Sequence, residues 1–326
     1  MWNPALRKGF AGSLFATLAA FPQAVSAADY PSRPVTLLVG YAAGGVTDLS
    51  ARVLADKLKP LLGQSVVVEN RVGAGGHLSF SAVAEAPPDG LLLAVANPAT
   101  VALKVLSKAY TLDPIKDFTY VAKYVTSAFP TVLVVPANAP YKTLGELVAY
   151  ARANPGSLNF ASPGGQPDLD VASLAHAGGF KVTIVRYKGS TPIQQAIAAG
   201  EVGAVMEAIV SAKPNLDSGR SRLLAVTGQK REPNFPDTPA VGEVVPGFSI
   251  PPFWFGIIGP AKLPREIEGR LNAAIKSAMS EADVASRLTP MGLKAEVGSP
   301  EDLRSLAVSE LDRLTRAAKL IGMEPQ

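Results

Sequence analysis

Short apolar runs alternate with helix-spaced apolar patterns along most of the chain. Runs of about five apolar residues are typical of strands buried on both faces, and apolar residues three or four positions apart are typical of helices. The runs predict strands at residues 35–39, 65–68, 91–96, 131–135, 158–161, 181–185, 202–206, 223–227 and 253–258. The spaced patterns predict helices at residues 48–62, 78–85, 144–153, 169–177, 192–199, 264–280 and 300–320. This alternation predicts an α/β fold in which helices cover parallel sheets.

The stretch from Val39 to Asp48 is the most informative part of this pattern. An apolar run ends at Val39, small residues including Gly44 and Gly45 follow, and a helical pattern then begins. A helix N-terminus offers free backbone N–H groups and the positive end of the helix dipole. Glycine residues let a ligand approach the backbone closely. We therefore expect this loop to hold a small anion.

The N-terminal residues have the features of a signal peptide. Arg7 and Lys8 precede an apolar stretch at residues 9–20, and Val25-Ser26-Ala27 matches the small-x-small cleavage pattern. The stretch is shorter than the roughly 20 residues of a membrane-spanning helix, which makes a membrane anchor the less favoured alternative. We expect residues 1–27 to direct export to the periplasm.

Composition removes several classes of function. The chain has no cysteine, which excludes disulfides, thiolate chemistry and a lipid-modified cysteine. The formal charge is +4, or +2 without Arg7 and Lys8, and the basic residues are scattered. No nucleic-acid partner is therefore expected.

The chain is predicted to cross twice between two lobes, near residues 124–129 and 246–252. These crossings would assemble one lobe from residues 28–125 and 252–326 and the other from residues 126–251. Two crossings are typical of a hinge with a ligand cleft between the lobes.

Catalytic and nucleotide-binding motifs fail when tested. Leu78 stands where a dinucleotide fingerprint begun at Gly73 needs a small residue, and neither a P-loop nor a Gly-x-Ser-x-Gly motif is present. The two histidines, His77 and His176, are not at a metal-ligand spacing. We expect no cofactor, no metal and no catalysis. The competing class is a hydrolytic enzyme that uses cleft carboxylates.

Ordered motifs along the mature chain resemble one known family. They are YPSRPV at residues 30–35, GGVTDLSAR at 44–52, GQSVVVENRVGAGG at 63–76, APPDG at 86–90, YKGS at 187–190, LAVT at 224–227 and PDTP at 236–239. Together they resemble the Bug-type substrate-binding proteins of tripartite tricarboxylate transporters. The resemblance implies a monomeric periplasmic receptor with a type II periplasmic-binding-protein fold. It would deliver a small organic acid to a membrane permease or, alternatively, signal through a sensor kinase.

The resemblance also implies two ligand loops, one from each lobe, at residues 41–48 and 161–168. Both follow apolar runs and precede helical patterns, so both offer helix N-termini. Four further candidates lie at strand ends, where open α/β sheets place ligand contacts, although packing or turn formation would also explain them. The predicted binding residues are Tyr41, Ala42, Gly44, Gly45, Thr47, Asp48, Asn97, Ser162, Gly164, Gly165, Gln166, Asp168, Tyr187 and Glu207.

Carboxylates near these loops leave several interpretations open. Asp168 and Asp170 could begin a helix, could pair with Arg186 or Lys188, or could indicate a ligand that carries an amine or is less anionic than a citrate-type acid. Asp48 could occupy a helix's first turn or hold a water or an ammonium group. Thr47 could cap the helix, donate its hydroxyl to the ligand, or do both.

Overall fold

The computed structural model describes residues 30–128, 130–233, 235–320 and 322–325, so the predicted signal peptide lies outside the described residues. The strands are β1 (Val35–Val39), β2 (Val66–Asn70), β3 (Leu92–Ala96), β4 (Phe118–Ser127), β5 (Thr131–Pro136), β6 (Leu158–Ser162), β7 (Val182–Arg186), β8 (Ala204–Ala208), β9 (Ser221–Val226), β10 (Trp254–Pro260) and β11 (Leu293–Ala295). The helices are α1 (Val46–Leu62), α2 (His77–Ala84), α3 (Pro98–Leu106), α4 (Leu144–Ala153), α5 (Gln166–Gly178), α6 (Ser190–Ala199), α7 (Ile209–Asp217), α8 (Val241–Val244), α9 (Arg265–Met279), α10 (Ala282–Leu288) and α11 (Pro300–Leu320).

The strands form two sheets, one with the order β11-β4-β10-β3-β1-β2 and one with the order β7-β6-β8-β5-β9. We call the first sheet with its helices lobe 1 and the second with its helices lobe 2. The chain passes from lobe 1 to lobe 2 between β4 and β5, and it returns between α8 and β10. The protein is thus a two-lobed α/β structure.

Both sheets are mixed, so the prediction of parallel sheets is wrong in part. β1 is parallel to β2 and β3, and β6 is parallel to β7 and β8. However, β10 is antiparallel to β3 and β4, and β5 is antiparallel to β8 and β9. The reason is topological, because β5 and β10 each enter directly from the other lobe without a crossover helix that would restore the parallel direction.

The apolar runs are explained by cores on both faces of each sheet. In β1, Leu37 belongs to a cluster with Leu54 of α1, whereas Leu38 belongs to a cluster with Phe80 of α2 on the opposite face. In lobe 2, the neighbouring β5 residues at positions 132 and 133 divide between two clusters in the same way. Successive side chains of a strand point to opposite faces, so a strand covered on both sides must be apolar throughout.

Local signals place several helix ends correctly. Gly63 and Gly200 follow α1 and α6 with left-handed φ angles of 71° and 73°. Ser299 caps α11, since its hydroxyl accepts from the Asp302 N–H at 3.1 Å. The described part of the chain contains no helix with both the length and the apolar character needed to cross a membrane.

Helix α11 contacts both lobes. It packs against α3 and β4 of lobe 1 and against α5 of lobe 2. Leu169 of α5 is fully buried in an apolar cluster that includes Val105 of α3 and Leu314 of α11. α11 therefore links the two lobes on the side where α5 begins.

Candidate functional site

Loop 1, residues 40–45, joins β1 to α1 and is organised by a buried carboxylate. Asp48 is the third residue of α1 and is 1% exposed. Its oxygens accept hydrogen bonds from the Gly44 N–H at 2.9 Å, from Arg52 Nε at 3.0 Å and Nη2 at 2.9 Å, and from Asn70 Nδ2 at 2.9 Å. The carboxylate therefore fixes the conformation of the loop from inside.

The pKa of Asp48 lies below its ordinary value of 3.8. Burial alone would raise the pKa, but the bonds from Arg52, the Gly44 N–H and Asn70 favour the ionised form and outweigh burial. Asp48 is consequently an anion at neutral pH, already neutralised by Arg52. Its predicted contact with a ligand stays a prediction.

Of the two roles considered for Thr47, helix capping is wrong, and donation of its hydroxyl to a ligand stays a prediction. The N-cap of α1 is Gly45, which has no side chain to cap the helix, and Thr47 is the second helical residue. The N–H groups of Val46 and Thr47 thus lack intrahelical partners. Ala42, Gly44 and Gly45 are exposed, so the surface of loop 1 is accessible to a ligand.

Tyr41 and Asn97 connect loop 1 to the start of α3. Asn97 is the N-cap of α3, with its Oδ1 accepting from the Ala99 and Thr100 N–H groups at 2.9 and 3.3 Å. Its Nδ2 donates to the Tyr41 hydroxyl at 3.1 Å. The sequence prediction omits α3, although Asn97 followed by Pro98 is a helix-start signal that could have revealed it.

Loop 2, residues 163–165, joins β6 to α5 and repeats the arrangement of loop 1. Asp168 is the third residue of α5 and is 1% exposed. It accepts from the Ser162 hydroxyl and from Arg186 Nε at 2.8 Å, while Ser162 Oγ accepts from the Gly164 N–H at 3.1 Å. The ion-pair interpretation therefore holds for Asp168.

The two loops are related by a shared sequence pattern, Gly-Gly-x-x-Asp, at residues 44–48 and 164–168. In each lobe the aspartate is bonded to an arginine, Arg52 in lobe 1 and Arg186 in lobe 2. In each lobe the glycine pair precedes a helix whose N-cap has no capping side chain. The start of α1 thus leaves the Val46 and Thr47 N–H groups for another partner. The start of α5 leaves the Gln166 N–H, because Pro167 has no N–H and the Asp168 N–H donates to the Gly165 carbonyl at 3.2 Å.

Asp170 has a partner that the sequence does not reveal. It pairs with Arg313 of α11 rather than with Arg186 or Lys188. Arg313 also donates to Glu310 from Nε at 3.0 Å and from Nη2 at 2.8 Å. Burial raises the pKa of Asp170 to about 6, and Arg313 offsets only part of this rise.

A cavity of about 260 Å³ lies between the lobes, next to loop 2. Its lining residues come from both lobes and from the return crossing: Pro98, Thr131, Gln166, Pro167, Asp170, Met206, Glu207, Ile250, Pro251, Pro252, Phe253, Trp254 and Glu310. Two predicted binding residues, Gln166 and Glu207, line this cavity. Loop 1 does not line it but reaches its edge, because Asn97 bonds Tyr41 and directly precedes Pro98.

The aromatic residues at the return crossing belong to the cavity wall. Trp254 is buried at 2% exposed, whereas Phe253 is 41% exposed. Both nevertheless line the cavity. Glu310 is a further lining residue that carries no local sequence signal, because it lies in an ordinary amphipathic stretch of α11.

Comparisons with known proteins agree with this geometry. The sequence profile of the tripartite tricarboxylate transporter family receptor, TctC, matches residues 50–323. The chain belongs to this family.

Relatives of the receptor cover nearly its whole length. A UPF0065 protein in the gbd 5' region of Cupriavidus necator is 39% identical over 324 residues, covering 97% of this chain and 96% of the relative. A solved structure of an R. palustris protein with adipate is 32% identical and covers 91% of this chain and 100% of that chain, with a TM-score of 0.69. The periplasmic binding protein BugD is 28% identical, covers 91% of this chain and 100% of its own, and has a TM-score of 0.66. The Bug-type resemblance and the two-lobed fold of periplasmic binding proteins are confirmed.

Glu207, like Asp170, is a carboxylate with a raised pKa. It lies at the end of β8, where it accepts from the Ser190 hydroxyl at 2.8 Å and from Gln194 Nε2. Burial raises its pKa to about 7, although the Ser190 bond opposes this rise. Glu207 therefore holds its proton to higher pH than an ordinary glutamate does.

Tyr187, another predicted binding residue of lobe 2, is partly exposed beside loop 2. Its N–H donates to the Ser162 carbonyl at 2.9 Å, which joins the end of β7 to the start of the loop. Across the described ranges of the receptor, no group of three His, Cys, Asp or Glu residues is arranged to hold a metal ion.

Proposed function

We propose that this receptor captures a small organic acid between its lobes and releases it unchanged to a membrane permease. The observation that carries the proposal is the pair of Gly-Gly-x-x-Asp loops, one in each lobe of a chain that belongs to a transporter-receptor family. The related R. palustris structure with adipate supports a carboxylate as the ligand class. The lobes would divide at residues 28–125 with 252–326 and at residues 126–251.

In this proposal the ligand carboxylate binds to backbone N–H groups at the starts of α1 and α5. The positive helix ends and the flexible glycines favour an anion there. Asp48 and Asp168 hold the loops in shape, each compensated by its own arginine. A micromolar dissociation constant corresponds to about 8 kcal/mol, which a few charge-assisted hydrogen bonds in a closed cleft supply.

The remaining assignments complete the proposal. Residues 1–27 would direct export to the periplasm, where the receptor would act as a monomer without a cofactor. Membership of a transporter-receptor family supports a permease as the partner. Docking to a sensor kinase is the alternative, and co-purification with each kind of membrane protein would distinguish the two.

Binding to a panel of organic acids tests the proposed function. Isothermal titration calorimetry should give heat with at least one small carboxylic acid, and the same acid should raise the melting temperature. The ligand recovered afterwards should be chemically unchanged. Absence of heat and of thermal stabilisation with every acid would contradict the proposal, as would turnover of the ligand.

A matched set of glycine variants locates the site. Gly44 and Gly164 have φ angles of 81° and 89°, so alanine there should distort the loops and weaken binding at least about tenfold. Gly156 has a similar φ of 82° in a turn before β6, and its Cβ position is equally open. Gly156→Ala should therefore cost similar stability without changing affinity.

A further inference from the structure

The inter-lobe cavity has an acidic wall. Among the described residues that line it, three carry carboxylates, Asp170, Glu207 and Glu310, and none is lysine, arginine or histidine. A second carboxylate of the ligand would thus meet like charges in this space without a cation on the wall.

The partners of these carboxylates leave the wall negative. Among the described residues, Arg313 is the one cation paired with Asp170 and Glu310, so this group of three has a net charge of −1. Glu207 is bonded to neutral groups, the Ser190 hydroxyl and the Gln194 amide. Every ionised fraction of Glu207 therefore adds to the negative charge.

The rest of the wall is largely apolar. Met206, Ile250, Phe253, Trp254 and the prolines at positions 98, 167, 251 and 252 contribute most of the other lining side chains. At about 260 Å³ the cavity is below the usual range for drug-sized ligands and suits a short chain. Its shape and chemistry fit an apolar segment whose far end is cationic or neutral.

We infer that this cavity selects the far end of the ligand: the receptor prefers a monocarboxylate whose other end is an ammonium or an uncharged group, and it discriminates against dicarboxylates. This inference rests on the proposed function, with the helix N-termini binding the one carboxylate. An ammonium group is favoured over a methyl group because it forms charge-assisted bonds with the acidic wall. A dicarboxylate is disfavoured because its second carboxylate is repelled by the acidic wall.

Acids that differ only at the far end test the inference. Titration calorimetry compares adipate, hexanoate and 6-aminohexanoate, together with the corresponding series from four to eight carbons. At the length that binds most tightly, the amino acid should bind best and the dicarboxylate at least about tenfold more weakly than either monocarboxylate. Equal or tighter binding of the dicarboxylate would overturn the inference while leaving the proposed function intact. Binding of no acid in any series would overturn both.

Variants that remove one charge test whether the acidic cavity wall causes the preference among these acids. Glu207→Gln should improve dicarboxylate binding relative to amino-acid binding by about tenfold. The substitution removes a charge that repels the second carboxylate of the dicarboxylate and attracts the ammonium group of the amino acid. Glu201→Gln removes an exposed carboxylate from the same lobe and should leave the ratio unchanged. Circular dichroism and melting curves establish that both variants fold. An unchanged ratio in a folded Glu207→Gln would overturn the inference.

Discussion

Gln166 of α5 donates a hydrogen bond to the Glu310 carboxylate of α11 at 2.9 Å. Gln166 is the residue that follows loop 2, and Glu310 belongs to the helix that also packs against α3 of lobe 1. The bond therefore ties the ligand loop of one lobe to the other lobe. Any motion that separates α5 from α11 must break this bond together with the Asp170–Arg313 ion pair.

Arg313→Met should strongly destabilise the protein. Arg313 is the cation for two buried carboxylates, Asp170 and Glu310, and its side chain is 15% exposed. Removal of one partner leaves uncompensated buried charge, which costs about 3–5 kcal/mol. Urea denaturation at pH 7 should show this loss. The matched control is Arg231→Met, which breaks an ion pair with Glu243 that lies in solvent and should have a much smaller effect. Similar losses in both variants would contradict a special role for Arg313.

Asp48→Asn should lower stability at pH 7 by about 1–3 kcal/mol, since Arg52 and the Gly44 N–H lose a charged acceptor. The folded pKa of Asp48 is below its ordinary 3.8, so its stabilising effect is present above that value and is lost as pH falls through the folded pKa. Denaturation curves should therefore show the difference from wild type shrinking below about pH 4. A difference that does not change with pH would contradict this account.

The control for Asp48 lies two turns further along α1. Asp56 pairs with Arg287, and its side chain is 63% exposed. Asp56→Asn should therefore change stability much less than Asp48→Asn at pH 7.

The sequence predicts the elements whose signals are local and strong. β1, α4 and α11 have the predicted bounds, because unbroken apolar runs or capped amphipathic patterns define them. The sequence does not predict β4, since polar residues such as Thr119 and Lys123 interrupt the apolar pattern of that strand. The sequence also does not predict that β5 and β10 run antiparallel to their neighbours, because strand direction depends on how the lobes are connected.

In the candidate site, too, features with local sequence signals are predicted and features made by tertiary packing are not. Each loop lies within one short stretch of chain, so the order of strand, glycine pair and helix predicts both loops. The Asp170–Arg313 pair joins positions 143 residues apart, and neither segment alone indicates that α11 packs against α5. The acidic cavity wall is likewise a product of tertiary packing and has no counterpart in a local motif.

Gly90→Ala should destabilise lobe 1 by about 2–4 kcal/mol, because it combines backbone strain with overpacking. Gly90 has a φ of 75°, and an added Cβ would lie 2.6 Å from Ile267 Cγ2 and 2.8 Å from Tyr30 Cε2. Gly269→Ala is the matched control, since Gly269 is an exposed interior residue of α9 with open space around it. Gly269→Ala should instead raise the free energy of unfolding by about 0.5–1 kcal/mol. Equal effects in melting experiments would contradict the packing around Gly90.

Glu207→Gln should stabilise the protein more at pH 8 than at pH 5. Burial raises the folded pKa of Glu207 from 4.5 to about 7, so the folded state binds this proton more tightly than the unfolded state does. Stability therefore falls as pH rises from the unfolded value through the folded value, and glutamine removes that loss. The gain should reach about 1–3 kcal/mol at pH 8 and be several times smaller at pH 5, as measured by urea denaturation at both pH values. The control Glu201→Gln should change stability little at pH 8, because Glu201 is exposed. A Glu207→Gln gain of equal size at both pH values would show that Glu207 does not titrate in this range.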